Sequence, residues 1–148
     1  MPLPGPGIPI PPLVLTDALR DDMAALYRRL DEALSREPVS CDACGACCHF
    51  ARYDHQMWLT NLELAFLLAH HALPTANSDA GCPWLHEGRC TARAGRAIGC
   101  RVFHCRMAPE RMADISAAFT REVQRIAEAH QIDLTYAELL ESLAALRR

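Results

Sequence analysis

Eight cysteines fall between residues 41 and 105 of this chain, and their spacing limits its possible folds more than any other feature. They run Cys41-x2-Cys44-x2-Cys47-Cys48, then Cys82-x7-Cys90, then Cys100-x4-Cys105. Buried thiols can act as small apolar filler, but filler has no reason to cluster. A C-x2-C step lets two sulfurs converge on one ion, as in zinc knuckles, and eight thiolates match two tetrahedral sites. Three cysteines at x2, x2 spacing equally match the first three ligands of a ferredoxin-type [4Fe–4S] run. The fourth ligand of such runs often precedes proline. Cys82-Pro83 offers that pair, at a spacing that is not the ferredoxin one. The x2, x2 step and the surplus of cysteine favour iron–sulfur over zinc.

The Cys47-Cys48 pair sharpens the expectation. In extended chain, adjacent side chains point to opposite sides. Cys47 is therefore expected to join Cys41 and Cys44 on one centre. Cys48 is expected to point elsewhere, to a second site with Cys82, Cys90, Cys100 or Cys105 or to a role as a reactive thiol.

Arg89, Arg93, Arg96, Arg101 and Arg106 crowd the second half of the cluster. They are either an ordinary solvated basic strip or guanidinium groups that offset thiolate charge and hydrogen-bond the sulfurs. His49 and His104 adjoin cysteines and are candidates to replace a thiolate. His70-His71 lies on a predicted helix. Trp58 and Trp84 are read as core. No phosphate-binding glycine loop, serine triad or paired-carboxylate signature stands out, and the sequence leaves open whether the protein is an enzyme.

A net charge of −3 gives no basic field for nucleic acid or an anionic membrane, and no stretch is long enough to span a bilayer. All fifteen basic residues are arginine, which fits coding bias as well as a use in buried pairs. Residues 1–14 form a proline-rich tail with no helical apolar core, which does not read as a signal peptide. A reducing, cytoplasmic compartment is expected, where clustered cysteines bind metal rather than form disulfides.

Residues 15–148 read as a single, mostly α-helical domain with an irregular cysteine-rich metal-binding segment at 40–106. Leu19, Met23, Leu26, Leu30 and Ala33 recur at helical spacing from Thr16 to about Arg36. Thr60 opens a second helix with Glu63 as its capping-box partner. That helix is apolar nearly all round, through Leu62, Leu64, Ala65, Phe66, Leu67 and Leu68, so it belongs at the centre. Pro109 starts a third helix, striped by Met112, Ile115, Phe119, Val123 and Ile126. Thr135 is expected to start a fourth, with Leu139, Leu140, Leu143 and Leu146 facing inward. Glu87-Gly88 reads as a tight turn. Outside the second helix, the 40–106 segment lacks a regular apolar pattern, so metal is expected to contribute its folding energy.

The cysteine pattern resembles the YkgJ-type family, a cysteine-cluster family described as a zinc- or iron-chelating domain, whose hallmark is CxxCxxCC. Cys41-Asp42-Ala43-Cys44-Gly45-Ala46-Cys47-Cys48 reproduces it. Glu63 matches a glutamate near a helix start, and Cys82-Pro83-Trp84-Leu85 matches a C-P-x-L segment. Cys90 and Arg96 match a later cysteine and the arginine after it. Cys100-Arg101-Val102-Phe103-His104-Cys105 matches a closing C-R-x-[FY]-x-C. Ala97 departs from the family's proline, and Ala92-Arg93 from its I-Y pair. The resemblance covers residues 40–106 and implies all eight cysteines as ligands of a metal ion or cluster. It leaves any protein partner unidentified.

Overall fold

The computed structural model describes residues 13–39, 41, 45–54, 56–76 and 81–148. The proline-rich tail up to residue 12 and Cys44 lie outside them.

The protein is mostly helical, with six helices and four very short strands among the described residues. Helix α1 (Asp17–Ser35) starts at Thr16, whose hydroxyl accepts the Leu19 amide. It buries Leu19, Met23, Leu26, Tyr27 and Leu30. Helix α3 (Asn61–His70) has the expected capping box: the Thr60 hydroxyl accepts the Glu63 amide, and the Glu63 carboxylate accepts the Thr60 amide. Helix α5 (Pro109–Ala129) begins at the expected proline.

The apolar residues form two clusters. One joins α1, α5, Leu134 and the Leu62/Phe66 face of α3 to Ile98 and Val102 of a short helix, α4 (Ile98–Val102). The other gathers Leu64 and Leu67 from the opposite face of α3 with Phe50, Leu59, Trp84, Leu139, Leu143, Cys48 and Cys82. Helix α3 stands between the two clusters, which is why its sequence is apolar all round.

The fourth helix begins later than expected. Thr135 does not cap it. Strand β4 (Tyr136–Glu138) pairs antiparallel with β1 (Trp58–Thr60), and only then does α6 (Leu139–Leu146) start, capped by the Glu138 carboxylate on the Glu141 amide. The tertiary pairing overrides the local capping signal. Asn61 holds the junction by accepting the Thr135 amide at 3.0 Å and donating to the Asp133 carbonyl at 2.9 Å. Trp58 is half-buried and stacks on Tyr136, while Trp84 is core.

The 40–106 segment is more ordered than an irregular loop. It contains a 3-10 turn (Ala46–Cys48), a one-turn helix α2 (Phe50–Tyr53), a hairpin of β2 (Leu85–His86) and β3 (Arg89–Cys90), and a second 3-10 turn (Arg93–Gly95) ahead of α4. The hairpin turns on Glu87 and Gly88, with φ of 49° and 75°. The tight turn expected at Glu87-Gly88 is present, and two positive φ values in a two-residue loop make it a type I′ turn.

Candidate functional site: a thiol-lined cavity

Three chain segments are drawn into contact by two glycines. Gly45 has φ of +75°, and a Cβ there would lie 2.3 Å from the Gly88 carbonyl oxygen. The backbone before the first 3-10 turn therefore rests directly on the hairpin turn, which brings Cys47 and Cys48 beside Cys90. Gly81 has φ of +138°, and a Cβ there would meet the Cys48 carbonyl oxygen and the Phe50 amide nitrogen, each at 2.6 Å. This close approach lets the Cys82 amide donate to the Cys48 carbonyl at 3.0 Å.

Helix α4 supplies the fourth segment. Glu63, 4% exposed, accepts the Thr60 amide and hydroxyl on one oxygen and the Ile98 amide on the other, at 2.9 Å. One carboxylate thus caps α3 and also holds the start of the helix that carries Cys100. Burial raises the Glu63 pKa, and the hydrogen bonds from Thr60 and Ile98 oppose the rise. On the far side, Gly99 lies against Met57, next to β1.

The result is one cavity of about 510 Å³ whose wall includes Cys41, Cys47, Cys48, Cys82, Cys90, Cys100 and Cys105, every described cysteine. None of the seven forms a disulfide. The extended chain assumed for the Cys47-Cys48 pair is not found: both lie in a 3-10 turn. Cys48 interacts with Cys82 and Cys90, among the partners expected for it, and also with Cys47.

Those contacts order the ionisation. Sharing its proton first with Cys47, then with Cys82 and Cys90, holds the Cys48 thiol far above its ordinary range. The same bond from Cys48 brings Cys47 down to about 6 against the cost of burial, with its own backbone amide and Arg96 helping. Cys90 also falls to about 6, again chiefly through Cys48, then the Ala92 amide, Arg96 and Arg93. Cys82 is lowered by Cys48 and the Trp84 amide. Burial pushes Cys100 up to about 12, reinforced by the charge of Cys82, Cys47 and Cys90. Thiolate is the form that binds metal, and the cavity favours it at Cys47, Cys82 and Cys90. Among the described residues, no group of three or more His, Cys, Asp or Glu side chains is already arranged to hold one ion. The thiols are neighbours around a cavity rather than a closed coordination shell.

The arginines divide. Arg93 and Arg96 line the cavity and act on its thiols. Arg101 also reaches the wall, but its guanidinium is committed: it donates to the Arg96 and Ala94 carbonyls and to Asp31, and it lies 4.0 Å over the Tyr27 ring. It ties α1 to the loop before α4, a use its position in a C-R-x-F-x-C run does not reveal. Arg89 and Arg106 are exposed and off the wall.

Among the described histidines, His104 alone lines the cavity. Its Nδ1 accepts the Arg106 amide at 3.0 Å, which leaves the proton on a buried Nε2 that has no partner among the described residues. In this tautomer neither nitrogen has a lone pair free for a metal. His49 flanks α2, while His70 stacks on Phe66 and His71 accepts the Gly95 amide.

The architecture is therefore that of a small helical protein with a cavity lined by cysteines. A comparison with family models, with curated proteins and with solved structures finds no match to this chain. Among the described residues, no helix is long and apolar enough to cross a membrane.

Proposed function

We propose that the cavity is a metal–thiolate centre holding an iron–sulfur cluster, with a redox or sensing role in the cytoplasm. The observation that carries this reading is the convergence of seven thiols from four chain segments on one cavity, including cysteines 64 positions apart in sequence (105 − 41). The donor set fits: sulfur ligands from several segments, thiolate favoured at three of them, and two guanidinium groups near negative charge. Cys44 adds an eighth ligand on sequence grounds, and the likeness to the CxxCxxCC family points the same way on motif alone. When bound, the cluster would supply one-electron chemistry. The chain's own part is to hold the sulfurs, exclude bulk water with Phe50 and Val102, and moderate charge through Arg93 and Arg96.

The mutual contact of Cys47, Cys48, Cys82 and Cys90 favours a second reading, a zinc-stabilised interaction module or metal carrier. Anaerobic purification followed by elemental analysis, sulfide assay and an absorption spectrum separates the two. Iron with sulfide and visible absorbance is expected; colourless protein with zinc would support the second reading. Folded, metal-free protein whose eight cysteines all titrate freely would sink both.

A further inference from the structure

The cavity has a floor and a rim. Phe50, Val102 and Cys82 are buried and form part of the floor, whereas Ser35, Pro38 and Phe103 are exposed and mark the rim. Two stretches of chain contribute to that rim: residues 35–39, where the chain leaves α1, and residues 103–107, between α4 and α5. The first is lightly held. The Arg36 and Glu37 amides bond back to the Ala33 and Leu34 carbonyls at the end of α1. Pro38 has no amide hydrogen to give, and Val39 belongs to neither apolar cluster. Among the described residues, one contact ties residues 36–39 to a distant part of the chain by hydrogen bonds: Arg111 Nη2 and Nε both donate to Glu37 Oε1, at 2.6 and 2.8 Å. Arg111 stands in the first turn of α5, just past the second rim stretch. The Glu37 side chain is 13% exposed, so its charge is largely withdrawn from water and relies on that guanidinium.

We propose that residues 36–39 are a strap on the rim and that the Glu37–Arg111 pair is its latch, so that parting the pair admits small organic molecules to the floor of the cavity. The hinge follows from a second ion pair. Arg101 holds Asp31 at 2.9 Å and so fixes the last turns of α1 against the loop before α4. Movement is therefore confined to the chain between Asp31 and the strap. Once the latch parts, residues 36–39 keep only their bonds to the end of α1. The space behind them, about 510 Å³, is large enough for a small organic molecule. The strap governs who reaches the floor, and it does so whether or not the floor holds metal.

The test is carbene labelling with a photo-activated aryl diazirine, read residue by residue by mass spectrometry. The probe inserts into C–H bonds and needs no free thiol, so the result does not depend on metal content. The intact protein is compared with Arg111→Gln, which removes the latch charge, and with Arg111→Lys, which keeps it. Arg111→Gln is expected to raise labelling of Phe50 and Val102 roughly two- to fivefold, the range that loss of one such ion pair allows. Tyr53, 51% exposed and off the cavity wall, should label alike in all three proteins. Arg111→Lys should label the floor at close to the intact rate. Amide exchange in α1 before Asp31 and in α5 should be the same throughout. Unchanged floor labelling in Arg111→Gln would overturn the proposal. So would equal labelling in the Gln and Lys variants, which would show that charge does not hold the strap. Faster exchange along α1 and α5 in Arg111→Gln would also overturn it, by making the pair a general tie between helices rather than a latch.

Discussion

The two apolar clusters are held by different means. Around α1 and α5, ordinary stripes at helical spacing do the work: Met23, Leu26, Leu30 and Val123 are fully buried, with no polar group required among them. Around the cavity, the buried set includes Cys48 and Cys82 beside Leu59 and Leu143, and the segments are joined by glycine contacts, a shared carboxylate and a cluster of interacting thiols. The first region needs only burial to be stable. The second has chosen donors over packing, so its stability should respond to what the donors bind. Variants in the two regions should therefore fail in different ways.

The largest loss of stability is expected in the helical region. Leu30→Ala leaves a void where the residue is fully buried and should cost about 2–5 kcal/mol in denaturant unfolding. The metal content of the molecules that remain folded should not change. Equal loss of metal and stability would mean the two regions are one cooperative unit. Gly81→Ala acts on the other side. Its Cβ would collide with the Cys48 carbonyl and the Phe50 amide in a backbone conformation that L side chains avoid, with an expected cost of about 1–3 kcal/mol. Metal should be lost while far-ultraviolet helix signal persists, and elemental analysis beside circular dichroism reads both.

How much of this was legible in the sequence follows the same division. Helices α1, α3 and α5 were readable because a stripe at Leu19, Met23, Leu26 and Leu30 or a capping box at Thr60 and Glu63 is local information. The start of α6 was misread because Thr135 to Glu138 carries a capping pattern while the backbone of Tyr136 to Glu138 pairs with β1, 76 to 80 residues earlier in sequence (136 − 60 and 138 − 58). In the site, the set of cysteines was legible and their mutual arrangement was not. Cys47 and Cys48 diverge in extended chain and converge in a 3-10 turn, and nothing in the pair itself selects between the two. Gly45 and Gly81, which flank cysteines, were the available signal for close backbone approach. The second bond of Glu63, to Ile98, is a long-range contact with no local trace.

Glu63→Gln probes the joint between the regions. The amide keeps one oxygen but puts a donor where one donor (Ile98) or two (Thr60) already point, so a cost of about 1–3 kcal/mol is expected. The pH dependence separates this effect from simple loss of a cap. Burial gives Glu63 a higher pKa folded than unfolded, so the folded state holds the proton more tightly. Its titration therefore favours the folded state as pH falls from the raised value towards the ordinary carboxylate value, and that advantage disappears as pH rises back through the raised one. Unfolding curves of the intact protein and the variant, followed across that window, should differ in slope. Parallel curves would show that Glu63 titrates alike in both states.

The smallest effect is expected at His71, at the edge of the cavity region. Its Nε2 accepts the Gly95 amide at 3.2 Å, which steadies the 3-10 turn that positions Arg93 and Arg96. An imidazolium has no lone pair to offer that amide. Burial, followed by the neighbouring His70, lowers the His71 pKa below the ordinary imidazole value. The folded state therefore binds this proton less readily than the unfolded chain. The contribution is complete above the ordinary imidazole value and is lost as pH falls through the interval down to the lowered one. His71 is half-buried and its bond is to one amide of the turn, so the consequence should be local: faster exchange of the Gly95 amide at mildly acidic pH, with the α1 and α5 amides unchanged. His71→Phe should show the faster exchange at every pH. If Gly95 exchange in the intact protein does not follow the His71 titration measured by nuclear magnetic resonance, the turn beside the thiols is held instead by the other bond of the Gly95 amide, to the Ala92 carbonyl at 3.2 Å, together with Arg101 and the Arg96–Arg93 contact.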